Sequence, residues 1–578
     1  MPSSADAPDR VSAVADRAAR VVGRHQVGLV VLALAVGTGA GLGAVAFRYL
    51  IEGFTKVFSG HTDYSDAGRA AHHLVPALGP WFVLLAPVVA GLVYGPLVHR
   101  FAPEARGHGV PEVMFAVARN GGRIRPRVAL VKSLASALCI GGGGSVGREG
   151  PIVQIGSALG SSIAQALRLD ERHIRLLVAC GAAGGIAATF NAPLAGVFFS
   201  MELILGVWAA ESFGMVVLSS VTASVIARGI LGDEPFLRLP AFHVDHLTQY
   251  PLFAVLGLLA GLLGVGFSRV LYAVEDVCDW AWRGPEWLRP AVGGLLLGVV
   301  LLVLPQMYGV GYPVLDKAVG GGYGIAFLCV LLVGKMLACS LTIGIGGSGG
   351  VFAPSLFVGA MLGAAFGAVV HAIDPSQAGS PGAYALVGMG ALFAGAARAP
   401  ITAVVILFEL TGEYSIILPL MLAIVLATGV SHLVSHDTVY TRKLLRRGID
   451  LDEPGDDRLR RTTVADVMTA PPSPMLETTT LHEAAARFAA TAEPALPVVS
   501  DDGHLVGIIA AHELMDALAS GTTVRIVELT GSSASVEADL PVGDALVMLE
   551  HGIEVLGVVA DGVLIGWVGH REIIGVFA

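Results

Sequence analysis

Long apolar runs fill the chain up to about Leu433, and polar, mixed sequence follows. Stretches suited to membrane helices begin near Val27, Trp81, Val128, Ile152, Ile174, Phe213, Leu252, Ala291, Ile325, Leu356, Ala383, Ile401 and Ile416. Several fall short of the roughly 20 residues that a bilayer crossing needs, or are interrupted by Gly and Pro. Short, broken helices fit where protein surrounds the backbone or where an aqueous path exposes it. From about Thr463 the pattern changes to short β-rich runs. Those at Leu496 to Ile509 and Val555 to Val568 share the layout apolar strand, Asp-Gly turn, apolar strand, and each precedes a helical-looking segment. The pattern predicts a polytopic α-helical membrane region followed by a small α/β region built on its own repeat.

Composition agrees with a membrane protein. Hydrophobic residues make up 54% of the chain and charged residues 14%, against roughly 25% charge in soluble domains. The mean hydropathy is +0.72. The net charge of −10 offers no basic surface for nucleic acid. Cys139, Cys180, Cys278, Cys329 and Cys339 show no CxxC spacing and lie mostly in apolar sequence, so neither a disulfide framework nor a metal site is expected. No phosphate loop or paired nucleophile and base points to an enzyme or to a cofactor.

Charge also orients the chain. Residues 1–25 carry Arg10, Arg17, Arg20 and Arg24 among alanines and valines, without a small-residue cleavage site before the apolar run. They read as a retained cytoplasmic amphipathic segment. Arg119, Arg123, Arg125 and Arg127, and later Arg442, Lys443, Arg446 and Arg447, form basic clusters expected on the cytoplasmic side. Both termini are therefore expected in the cytoplasm.

A nine-residue pattern occurs twice. Gly143 to Pro151 reads GGSVGREGP and Gly346 to Pro354 reads GGSGGVFAP; the register continues from Gly156 and Gly160 to Gly359 and Gly363. A second echo pairs Gly181, Pro193 and Glu202 with Gly388, Pro400 and Glu409. Related halves that each break an apolar segment with Gly and Pro point to a binding site between broken helices. Half-helix N-termini present free N–H groups and the positive end of the helix dipole. The expected substrate is an anion.

From Val27 to Arg447 the chain resembles the CLC family of chloride channels and chloride/proton antiporters. GHGVP at Gly107 to Pro111 stands where the family has GSGIP, GREGP at Gly147 to Pro151 where it has GKEGP, and GVFAP at Gly350 to Pro354 where it has GxFxP. Tyr440 falls at the family's pore tyrosine. Residues after Thr463, opening with VADVMT, resemble a tandem pair of CBS domains. The resemblance implies an inverted-repeat transmembrane fold over 26–447, with repeats at about 26–231 and 249–447. It also implies a linker at 448–462, CBS-like domains at 463–521 and 522–578, and a homodimer in the lipid bilayer.

The resemblance gives Glu149 the role of gating glutamate, whose carboxylate competes with the anion and carries the proton. A carboxylate at a helix N-terminus is stabilised by the same N–H groups that bind chloride. Gly147, Arg148, Gly150, Val351 and Phe352 surround the anion position, and Tyr440 adds a hydroxyl. Two positions depart from the family. His108 replaces the serine that donates to the central anion, which leaves chloride preference over nitrate or fluoride open. Leu203 replaces the inner proton-transfer glutamate of antiporters and cannot carry a proton, leaving Glu202 or water for that step. Glu202 and Glu409 lie deep in apolar sequence, where ionisable groups are costly; for Glu409 a cap or interhelical bond is the expectation. In the CBS-like copies a Thr or Ser followed three residues later by Asp commonly contacts nucleotide. Ala510 and Glu513, and Gly569 and Glu572, occupy those positions. Adenine-nucleotide binding is correspondingly doubtful, and a structural pair has at least equal claim.

The expected function is transmembrane chloride transport through one pathway per subunit, gated by Glu149. Proton-coupled antiport, passive chloride conduction and a fluoride- or nitrate-selective variant are the alternatives within that class. A membrane ligand sensor is the alternative outside it.

Overall fold

A computed structural model of the chain describes residues 26–72, 76–206, 208–232, 247–375, 379–450, 462–491, 493–520, 525–530, 535–550 and 553–575. The basic segment 1–25 lies outside them, as does most of the expected linker at 448–462. The chain divides into two compact units, Met1–Leu451 and Asp452–Ala578.

In the first half of the helical unit, α1 spans Gln26–Ser59, α2 Phe82–Phe101, α3 Val110–Arg119, α4 Arg127–Gly141, α5 Glu149–Ala166, α6 Glu171–Phe190, α7 Pro193–Phe199 and α8 Ala210–Leu231. In the second, α9 spans Tyr250–Ala281, α10 Arg289–Val303, α11 Tyr312–Val319, α12 Ile325–Gly344, α13 Phe352–Ile373, α14 Pro381–Ala397, α15 Pro400–Thr411, α16 Ile417–Val434 and α17 Thr441–Leu445. Each apolar start read from the sequence falls in or at the beginning of a helix. Among the described residues, eight helices are long and apolar enough to cross a membrane. The hydropathy pattern does not announce α3, α7, α11 and α17, which are too short to form an apolar run. Three of these, α3, α7 and α11, carry proline in their first turn, where a missing N–H costs nothing.

The two halves meet through their repeated motifs. Gly147 N–H donates to Gly350 O and Gly350 N–H to Gly147 O, both at 2.7 Å, in an antiparallel bridge. Equivalent residues that exchange reciprocal bonds are related by a local two-fold, so the halves are inverted relative to one another. Gly143 and Gly346 hold φ of 102° and 93°, a region that favours glycine and turns the chain into each broken helix.

The same symmetry governs helix packing. A Cβ on Gly156 would lie 2.1 Å from Gly181 O, and one on its mate Gly359 would lie 2.4 Å from Gly388 O. The pairs α5/α6 and α13/α14 therefore touch backbone to backbone, as small residues permit in membranes. Two fully buried lysines repeat as well. Lys132 donates to Ala105 O and Gly107 O at 2.9 and 2.8 Å. Lys335 donates to Gly309 O and Val310 O at 2.9 Å and to Ser145 Oγ at 3.0 Å. Each ammonium ties down the loop that precedes α3 or α11, and carbonyl oxygens replace its lost hydration.

Among the described residues, the second unit holds two three-stranded sheets. Strands β1 Met475–Leu476, β2 Ala495–Val499 and β3 Leu505–Ala510 form one; β4 Ser535–Glu537, β5 Val555–Ala560 and β6 Val563–Gly569 form the other. In each, the first strand pairs parallel and the last two form a hairpin, with Leu496 opposite Ile509 and Leu556 opposite Val568. Asp561 and Gly562 sit at φ of 51° and 79°, the double left-handed turn that Asp-Gly favours between two strands. The edge strands β1 and β4 are too short to stand out in the sequence.

Candidate anion site between the repeats

The site is built where α5 and α13 begin. Helix starts leave N–H groups without intrahelical partners, and the Gly147–Gly350 bridge brings these two starts together. Glu149, at the first position of α5, is 1% exposed. Its Oε2 accepts from the Ala353 N–H of α13 at 3.4 Å, and its Oε1 accepts from the Tyr312 hydroxyl of α11 at 3.0 Å. The carboxylate thus sits at the start of the opposite repeat's helix, where the helix dipole favours negative charge. A Cβ on Gly147 would lie 1.9 Å from Glu149 Oε2; glycine there makes room for the carboxylate.

Val351, Phe352, Gly150, Arg148 and Tyr440 are the other residues expected at the site. Val351 and Phe352 are buried at the beginning of α13, with the Phe352 ring 4.5 Å from Phe393 and 5.5 Å from Phe190. Gly150 packs against His108, since a Cβ on it would lie 1.9 Å from His108 O. Arg148 donates to Thr189 O at 3.3 Å, and its guanidinium stands 5.2 Å from the Tyr312 ring centroid. Tyr440 is buried just before α17, and its N–H donates to Thr438 Oγ1 at 3.2 Å.

His108 is fully buried, and neither ring nitrogen meets a hydrogen-bond partner among the described residues. Buried polar groups are normally paired, and His108 is an exception among the described residues. Its nearest aromatic contact is Tyr272, at 6.0 Å between centroids. Tyr272 in turn donates to Val439 O at 2.8 Å, linking the His108 region to the segment that carries Tyr440.

A cavity of about 530 Å³ adjoins the site, lined among others by Arg48, Glu52, Arg148, Arg228, Tyr312 and Asp316. Glu149 is buried close behind Arg148 and Tyr312. Paired broken helices, inverted halves and a buried glutamate stand together here, and the voltage-gated chloride channel family model matches residues 90–432.

The chain belongs to the CLC family. It is 35% identical over 422 residues to the putative chloride channel protein ClcB-like of Ralstonia nicotianae, covering 72% of this chain and 96% of that one. It is 36% identical over 376 residues to the H(+)/Cl(-) exchange transporter ClcA of Vibrio parahaemolyticus, covering 63% of this chain and 79% of that one. Among solved structures, a slow cyanobacterial Cl⁻/H⁺ antiporter aligns with a TM-score of 0.65 and 26% identity, covering 74% of this chain and 98% of the other. A eukaryotic CLC transporter shares the fold over 94% of this chain and 97% of its own, with a TM-score of 0.62 and 22% identity. The CBS domain model matches residues 464–520. The chain is a multi-pass membrane protein of CLC fold with a CBS region.

Glu202, offered for proton transfer, is a helix cap: its carboxylate accepts from Ile401 N–H at 3.1 Å, Thr402 N–H at 2.9 Å and the Thr402 hydroxyl at 2.7 Å, all at the start of α15. Glu513 and Glu572, the weak nucleotide candidates, also cap helices, accepting from Ala510 N–H at 3.1 Å and Gly569 N–H at 2.9 Å. Tyr312 and Tyr272 are site neighbours that the sequence reading missed. For Tyr312 a signal exists: Gly309 to Pro313 reads GVGYP, an echo of GHGVP in the other half.

Proposed function

We propose that this protein carries chloride across the membrane through one pathway per subunit, with Glu149 as the gate and protons as the countertransported ion. The observation that carries this reading is the Glu149 carboxylate accepting from the Ala353 N–H, since a carboxylate in that position excludes an anion until it is protonated or moves. Chloride is the ion named for both curated relatives, and proton exchange is named for ClcA and for the cyanobacterial antiporter. His108 supplies an N–H to the central anion in place of the family's serine hydroxyl, and Tyr440 supplies its own hydroxyl. Leu194, Val221, Val225, Ile401, Leu418 and Val425 leave α7, α8, α15 and α16 with exposed apolar faces that suit burial against a second copy in a homodimer. Both termini are assigned to the cytoplasm from the basic clusters.

Passive conduction is the second reading, and Leu203 favours it. This side chain is buried beside Glu202, cannot hold a proton, and stands where antiporters carry their inner glutamate. The deciding experiment follows chloride and proton flux together in liposomes. Antiport requires a chloride gradient to drive protons uphill, and Glu149→Gln, nearly isosteric but not ionisable near neutral pH, should abolish that coupling and the acid activation while chloride still passes. Chloride flux without proton movement in the unsubstituted protein establishes passive conduction. A Glu149→Gln profile identical to that of the unsubstituted protein removes Glu149 from the mechanism.

A further inference from the structure

The bonds that hold Glu149 come from two kinds of donor. The Ala353 N–H belongs to the backbone of α13 and is part of the anion site. The Tyr312 hydroxyl belongs to a side chain, and no element of the ion site requires it. Tyr312 opens α11 immediately after Gly311, whose φ is 88°, and Pro313 fixes the next position of the helix. The two carbonyls just upstream, of Gly309 and Val310, are pinned by Lys335. The ring therefore arrives at a set place, and the Arg148 guanidinium 5.2 Å from its centroid is within range of cation–π attraction. Tyr312 and Arg148 both line the 530 Å³ cavity, whereas Glu149 is buried beyond them.

We propose that Tyr312 is a positioning residue that latches the gate: its hydroxyl holds the ionised Glu149 carboxylate in the anion position, and this bond sets the pH at which chloride passes. The proposal rests on Glu149 being the gate. An O–H donor favours the charged form of a carboxylate, and bonds to charged acceptors are about twice as strong as neutral ones. Protonation weakens the latch and frees the side chain to leave; without the hydroxyl, the carboxylate takes up its proton from a less acidic solution. The charged and titratable groups facing Glu149 are Arg148 beside it, Tyr312 from α11, Lys335 and Cys339 from α12, and Tyr440. Only Tyr312 donates a side-chain hydrogen bond to the carboxylate among the described contacts.

The test uses full-length protein in liposomes, with chloride flux measured against pH and each variant scaled to its own maximum, so that expression or partial misfolding does not enter. Tyr312→Phe should move the activation midpoint upward by about one pH unit, a tenfold change in proton concentration. Tyr312→Leu, which also lacks the hydroxyl, should move it the same way and serves if the Phe variant does not fold. Adding Tyr312→Phe to Glu149→Gln should leave the Glu149→Gln profile as it is. A tyrosine that merely packs would change the maximum or the stability and leave the midpoint in place. Midpoints unmoved in both Tyr312 variants, with a pH-independent Glu149→Gln, overturn the latch and leave the gate standing. A Glu149→Gln protein that still titrates like the unsubstituted protein overturns both.

Discussion

Glu202 and Glu409 cap each other's helices across the two halves of the chain. Glu202 accepts from the first N–H groups of α15, the helix that carries Glu409. Glu409 accepts from Leu194 N–H at 2.9 Å and Ala195 N–H at 2.7 Å, at the start of α7, the helix that leads to Glu202. Each carboxylate places negative charge at a positive helix end and satisfies donors that have no partner in their own helix. The reciprocity explains how two acids are accommodated in apolar sequence.

The first prediction follows from that exchange. Glu202→Gln and Glu409→Gln should each lower thermal stability in detergent, by about 1–3 kcal/mol for the weakened or lost charged bonds. Because α7 and α15 brace one another, the double variant should lose less than the sum of the single losses. Proton-to-chloride coupling in Glu202→Gln should match that of the unsubstituted protein. Loss of coupling at unchanged stability would make Glu202 a proton carrier after all.

The repeats were legible because their residues are dictated locally. Gly143 and Gly346 need left-handed backbone, the prolines begin helices, and Gly156 and Gly359 meet a neighbouring backbone; each demand shows as a residue type at a fixed offset. The place of Glu149 at a helix start was legible for the same reason, whereas its expected gating role came from the family resemblance. The contacts of Glu202, Tyr272 and Tyr312 were not, because each is made with a distant segment whose approach is set by tertiary packing. Tyr312 was obscured further by its helix, which is too short to appear as an apolar run. The strands β1 and β4 escaped notice on length alone, at two and three residues.

The second prediction concerns His108. A fully buried imidazole with neither nitrogen paired among the described residues carries a desolvation penalty that an anion beside it would relieve. Restoring the family pattern with His108→Ser exchanges an N–H for a smaller hydroxyl donor and opens space. Chloride and nitrate affinities, measured by calorimetry on purified protein, should then separate by roughly tenfold or more, about 1.4 kcal/mol, from their ratio in the unsubstituted protein. Identical affinities for both ions from about pH 5 to 8, a range that brackets the usual imidazole titration, would make His108 a packing residue.

The third prediction separates transport from the CBS region. Every residue assigned to the anion path precedes α17, and the second unit carries its own hydrophobic cores, one around Met475, Leu496, Val498 and Ile509 and the other around Val536, Leu556, Val558 and Val568. Among the described residues, both cores consist of side chains of this unit. Truncation after about Asp452 should therefore leave chloride flux measurable in purified, reconstituted protein, with the same dependence on Glu149 and the same activation midpoint. What the truncation should remove is any response to a ligand of the CBS pair. Complete loss of flux from a folded, dimeric truncation would show that the CBS region is part of the pathway's working structure, and would overturn the division of labour argued from the two separate cores.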